Sequence, residues 1–191
     1  KIMAIETPEY RSIKKEGKFE IRDYKEMVIA KTFVNANYKE ATSSGFRRIA
    51  NYIFGGNEKQ MKIAMTAPVI TNTPSSSNDY EILFVMPKQH TLEELPLPNY
   101  NNVKLEIKEL GKVAVISFGG WATEERTIYY KKKLKSFLKK NNYEALNNFM
   151  VAQYNSPWAL PPFRKNEIHV FQSSSHGNCQ FQKCPTVQCI R

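Results

Sequence analysis

The feature that most constrains this chain is that its order of elements runs twice. Residues 19–34, FEIRDYKEMVIAKTFV, alternate apolar and polar side chains in two runs hinged at Asp23–Glu26, which predicts a strand pair. Residues 38–54, YKEATSSGFRRIANYIF, switch to a helical period with Phe46, Ile49, Ala50 and Ile53 on one face, and Gly55-Gly56 stop it. MKIAMTAPVI (61–70), a turn over NTPSSSND and the apolar strand YEILFVM follow. After a Pro- and Asn-rich connector over 88–102 the order recurs. Residues 103–119 predict two strands with a turn at Gly111, and 122–141 a helix with Tyr130, Leu134, Phe137 and Leu138 inward. FMVAQYNSP and NEIHVF then close the second unit. Val28 and Val113 are 85 apart, Phe46 and Tyr130 84, Glu81 and Glu167 86. This spacing reads as an internal duplication of a strand-strand-helix-strand-strand unit.

Four strands under one helix leave a sheet face bare, so neither unit closes a core alone. The expected solution is an α+β fold: one distorted antiparallel β-barrel of about eight strands with two flanking helices. Pro68 and Pro157 fall in corresponding segments of the two units. Because proline cannot donate to a ladder, each marks a place where the sheet is interrupted, under an approximate two-fold rotation. Two such interruptions would open a cleft between the halves.

Charge narrows the partners. Lys and Arg number 28 against 18 Asp and Glu, a net +10 that suits an anionic partner. Six lysines lie within YYKKKLKSFLKK of the second helix, the pattern of a phosphate- or membrane-binding face and, more often, of a solvated outer one. No apolar run approaches the ~20 residues that span a bilayer, and the first residues lack the apolar core of a signal peptide. A monomeric, cytoplasmic protein is the expectation. All three cysteines, Cys179, Cys184 and Cys189, fall in the last thirteen residues, so no disulfide framework holds the core. The chain divides into a domain over 1–172 and a flexible Cys-containing tail over 173–191.

Catalytic signatures are missing: there is no G-x-S-x-G, H-E-x-x-H, P-loop or G-x-G-x-x-G. His90, His169 and His176 form no pair at metal-ligand spacing, so neither a catalytic residue nor a metal site is expected.

The succession FEIRDY, NYIFGGN with KIAMTAPV, FGGWATEE and AQYNSPWALPPFRKNEIHVF, in that order over about residues 5–172, resembles the SOUL and heme-binding protein family. The resemblance implies a distorted barrel from a duplicated unit. It also implies non-covalent binding of heme or another tetrapyrrole in a cleft between the first helix and the loop before the last strand. On this chain those regions are 43–54 and 155–165. Some members carry a histidine in the segment corresponding to FEIRDY, where this chain has Asp23, so histidine ligation is not expected there. Asn51 and Leu160 likewise stand where some members carry a basic side chain near the propionates.

A flat apolar disc with two carboxylates needs apolar walls and cations at its rim. The expected site takes Phe46 and Ala50 as wall with Arg47 beside them, Ile63 and Met65 as floor, and Leu160, Phe163 and Arg164 on the far side. Spacing alone does not separate this from plain core residues and a solvated helix face. The function expected is a carrier or buffer with no specific nucleic-acid partner. The alternatives are a module for another amphipathic anion, or attachment to an anionic membrane or partner through the basic second helix.

Overall fold

The structure, a computed structural model, describes residues 5–72, 79–155 and 159–172. Its elements are β1 (Tyr10–Glu16), β2 (Phe19–Asn35), α1 (Tyr38–Ile53), β3 (Val69–Asn72) and β4 (Asp79–Val85), then β5 (Lys104–Gly119), α2 (Glu124–Lys140), β6 (Ala145–Gln153) and β7 (Lys165–Gln172). A short 3-10 turn, Pro161–Phe163, precedes β7.

Six strands form a closed antiparallel ring, β2-β4-β3-β6-β7-β5 and back to β2, with β1 added outside along the first third of β2. Exchanging the repeats maps the pairing onto itself: β2–β4–β3 becomes β5–β7–β6, and the two seams, β2–β5 and β3–β6, join one repeat to the other. The duplicated barrel with two helices is therefore the architecture. The strand count differs. Each repeat contributes one long strand where two were expected, so the unit is strand-helix-strand-strand, and the described strands number seven.

The physical reason lies in the hinge signals. Along β2 the inward side chains step from Tyr24 to Met27, and along β5 from Leu110 to Val113, three residues in place of two. Each strand bends there without ending. Gly111 sits at the bend with φ +57, a conformation open to glycine, and pairs with Tyr24 across the seam. A broken period thus marks a bend in a paired strand as readily as a turn between two.

The helix limits follow their caps. Asn37 accepts from the Glu40 amide at 3.0 Å and Thr123 from the Arg126 amide at 3.3 Å, so α1 and α2 start one residue later. The outward side of the ring carries Ala30, Val34, Ile82 and Phe84 under α1, and Ala114, Ile116, Ile168 and Val170 under α2. The inward side packs Ile29, Ile70, Leu83, Val85, Met150 and Ala152. Of MKIAMTAPVI only Val69 and Ile70 belong to a strand. Pro68 stands immediately before it, where a missing amide costs no ladder bond. Pro157 and the tail over 173–191, with its three cysteines, lie outside the described residues.

Candidate functional site

A cleft of about 760 Å³ opens over the β3–β6 seam, where Val69 pairs with Gln153. Both helices begin at its edge, so the N-caps Asn37 and Thr123 line it from opposite sides. On the α1 side stand Tyr38, Phe46 and Arg47, and Phe46 rests on Phe84 with ring centres 5.6 Å apart. On the other side Trp121, half exposed, lies under the Arg164 guanidinium at 3.7 Å. Arg164 Nε also donates to the Ala159 carbonyl at 2.8 Å, which fixes the cation at the rim. The Tyr38 hydroxyl donates to the Ala122 carbonyl at 3.2 Å and ties the two walls together. Burial, helped by the neighbouring Tyr80, pushes Tyr38 up to about 12, so it is neutral at ordinary pH.

Three of the expected site residues, Phe46, Arg47 and Arg164, meet in this cleft. Ala50 is buried one turn further along α1, and Ile63 is 3% exposed in the core beneath that helix, its amide donating to Ile53 at 2.8 Å. Met65, Leu160 and Phe163 are exposed and are not among the residues that line the cleft. Phe163 and Leu160 belong instead to the turn that delivers Arg164 to the rim. Sequence reasoning passed over Trp121, Tyr38 and Gln153. Trp121 follows Gly119-Gly120 just before a helix, a loop position where a large aromatic has no core to enter, and that was the available signal.

The cleft is aromatic on two sides and carries Lys39, Arg47 and Arg164; among the described residues Glu124 is the one acid that lines it, and no His, Cys or Met does. Among the described residues no group of three or more His, Cys, Asp or Glu is placed to hold a metal ion. A second cavity of about 440 Å³ shares no lining residue with the cleft. His90 lines it, with acids and lysines intermixed: Lys88 Nζ pairs with Glu9 at 2.8 Å.

Inside the barrel the polar alternation of FEIRDY and NEIHVF, whose apolar members face α2, turns charged side chains inward. Arg22 grips Glu167 through both terminal nitrogens, at 2.8 and 2.9 Å, and its Nε donates to Glu20 at 2.8 Å. Tyr154 donates to Glu167 at 2.6 Å, Ser117 at 3.2 Å, and His169 Nε2 lies 2.8 Å from it. Burial alone would raise the Glu167 pKa, but the hydrogen bonds from His169 and Arg22 outweigh it and hold it well below the carboxylate range. Burial and the adjoining Glu167 carboxylate push Tyr154 strongly upward. Glu167 is thus held ionised and Tyr154 protonated, which suits a structural staple.

The sequence matches the family model described as SOUL heme-binding protein over residues 5–171. The chain belongs to that family. Among SOUL relatives, heme-binding protein 1 of Xenopus laevis is 30% identical over 157 residues, covering 78% of this chain and 81% of that protein. Heme-binding protein 2 of Homo sapiens is 30% identical over 182 residues, covering 90% and 88%. The SOUL barrel also superposes on the EcmrR C-terminal domain, with TM-score 0.62 at 13% identity over 86% of this chain and 98% of that one. A hydrolase from Listeria innocua gives TM-score 0.57 at 14% identity over 84% and 94%. At such identities these two likenesses show the fold alone.

Proposed function

We propose that this SOUL-family chain binds heme or a related tetrapyrrole non-covalently in the cleft over the β3–β6 seam, and carries or buffers it without chemical change. The observation that carries this reading is the cleft's make-up. Phe46 and Trp121 put aromatic side chains on opposite sides, and Lys39, Arg47 and Arg164 offer cations for propionates at the rim. Its volume of about 760 Å³ falls within the range of small-molecule sites, ~300–1,000 Å³. Family membership and the names of the relatives point the same way.

The residues fit the macrocycle better than they fit its metal. No described wall residue is a His, Cys or Met, and Tyr38 keeps its proton, so the described wall supplies no strong ligand to iron. Apolar ring contact and rim charge then hold the ligand, and affinity depends little on the metal. The test is a titration with hemin and with metal-free protoporphyrin, followed by absorbance. Dissociation constants within about tenfold, or ~1.4 kcal/mol, are expected. A preference of several hundredfold for hemin would overturn the reading. An excess of a non-macrocyclic amphipathic carboxylate should compete poorly; complete displacement at similar concentration would favour another amphipathic anion as the natural ligand.

A further inference from the structure

The ligand reading leaves most of the positive charge unused. The cleft takes Lys39, Arg47 and Arg164, whereas residues 131–140 of α2 hold six lysines and no acid. Lys132, Lys133, Lys135, Lys139 and Lys140 are exposed, and none of the ion pairs among the described residues involves them. Residues 128, 132, 135 and 139 follow one stripe at helical spacing about 17 Å long, with 129, 133 and 140 beside it. At the start of that stripe two apolar side chains stand in solvent, Ile128 at 45% and Tyr129 at 51% exposure.

The geometry points to this outer face of α2 as a docking surface for an anionic lipid bilayer. Lysines in a row give a diffuse attraction to headgroups, and an exposed Ile beside a Tyr fits the headgroup–acyl boundary. A nucleic acid fits less well: no arginine lies on the stripe, Arg126 being bonded to the Gly119 carbonyl at 2.7 Å, and Ile128 has no partner on a phosphate backbone. Position adds a reason. Trp121 to Glu124, at and just before the first turn of α2, line the cleft, so docking sets the cleft mouth within a turn or two of the bilayer, where an apolar ligand partitions.

The test is co-sedimentation of the full chain, without tetrapyrrole, with phosphatidylcholine vesicles that contain or lack phosphatidylserine. Binding should require the anionic lipid and fall as salt is raised. Replacing Lys132, Lys135 and Lys139 together by Gln should weaken it at least about tenfold. The same charge change at the exposed Lys14, Lys15 and Lys18 should weaken it far less. Ile128→Ser with Tyr129→Ser should weaken it severalfold at unchanged charge. Equal losses from the two lysine sets, no loss from the serine pair, or tighter lysine-dependent binding to an oligonucleotide than to the vesicles would each overturn the proposal. Because the cleft residues are untouched, failure here leaves the tetrapyrrole titration to stand or fall by itself.

Discussion

Glu81 and Glu167 occupy matched places in the two repeats, yet one is braced loosely and the other is gripped. Glu81 pairs across the sheet with Phe33 and Glu167 with Ser117, positions 84 apart on the long strands while the glutamates are 86 apart. Glu81 keeps 12% of its side chain exposed. Lys31 and Lys108 reach it only at 3.7 and 3.8 Å, and Asn72 donates to it at 3.2 Å. Glu167 is fully buried and meets Arg22 in a two-pronged contact, with Tyr154, Ser117 and His169 around it. Duplication copied an inward carboxylate; what differs is the neighbourhood that must satisfy it. With lysines and some water nearby, a glutamate tolerates loose partners. Sealed inside, it needs several fixed donors, and arginine supplies two at once.

The largest expected effect breaks the gripped site. Glu167→Gln removes one of the two carboxylates that hold the Arg22 charge in the interior, leaving Glu20 alone to balance it, and should cost about 3–5 kcal/mol of unfolding free energy, whereas Glu81→Gln should cost about 1 kcal/mol or less. Urea unfolding monitored by circular dichroism compares them. A triple change, Glu20→Gln, Arg22→Met and Glu167→Leu, should recover part of the loss, because it removes all three charges of the cluster. Equal costs at the two glutamates would mean that the sealed and the open neighbourhood stabilise a carboxylate alike.

The next effect sharpens the same contrast through pH. Glu167 is more acidic in the folded chain than in the unfolded one. Its contribution is complete above the ordinary carboxylate value of 4.5 and is lost as pH falls below it. Tyr24 and Tyr38 shift in the opposite sense. Burial pushes each up to about 12, so their contribution is complete below the ordinary tyrosine value of 10.0 and is lost as pH rises from there toward 12. Melting temperature against pH should therefore fall on both sides. Glu167→Gln should flatten the acid limb most, with a smaller change on the alkaline side where its carboxylate raises Tyr154 and Tyr24, and Tyr24→Phe should flatten part of the alkaline limb, while Glu81→Gln should leave both slopes nearly intact.

How much of this could be read beforehand depends on whether a residue type speaks locally. The caps, the glycine stop after α1 and the repeat spacing are local signals, and they located both helices and the duplicated barrel. The bends in β2 and β5 read as turns from sequence, because a local break in alternation carries no information about which strand lies alongside. The Arg22–Glu167 grip was hidden for a related reason. In an open sheet the charged alternates face water, and only closure of the ring, with α2 covering Ile21, Ile168 and Val170, turns them inward. At the cleft, the resemblance located α1 and the loop before β7, but the partners across the gap, Trp121 and Gln153, lie on segments brought there by the seam.

The smallest expected effect compares the two rims of that cleft. Arg164 is held by Trp121 and Ala159, while among the described residues Arg47 makes a single long contact, 3.4 Å to Ser44. Either change to Ala should weaken tetrapyrrole binding by about 0.5–2 kcal/mol, with Arg164→Ala at the upper end because a preorganised cation loses less freedom on binding. Isothermal titration of the two variants with protoporphyrin decides it, and a larger loss at Arg47 would place the propionates on the α1 side.

The closed ring also has a consequence for how the chain reaches its native state. Within each repeat the strands are ordered β2-β4-β3 or β5-β7-β6, so a repeat by itself ends in two unpaired edges. Each edge is satisfied only by a strand some 70 to 100 positions away in the chain: Phe19 meets Ile116, and Val69 meets Gln153. Helix formation and the pairing of β3 with β4 are near in sequence and can come early, but zipping both seams requires two nearly finished halves to find each other. Until they do, the open edges are templates for any neighbour, including the matching edge of another copy, which would complete the same six-membered ring as an exchanged pair.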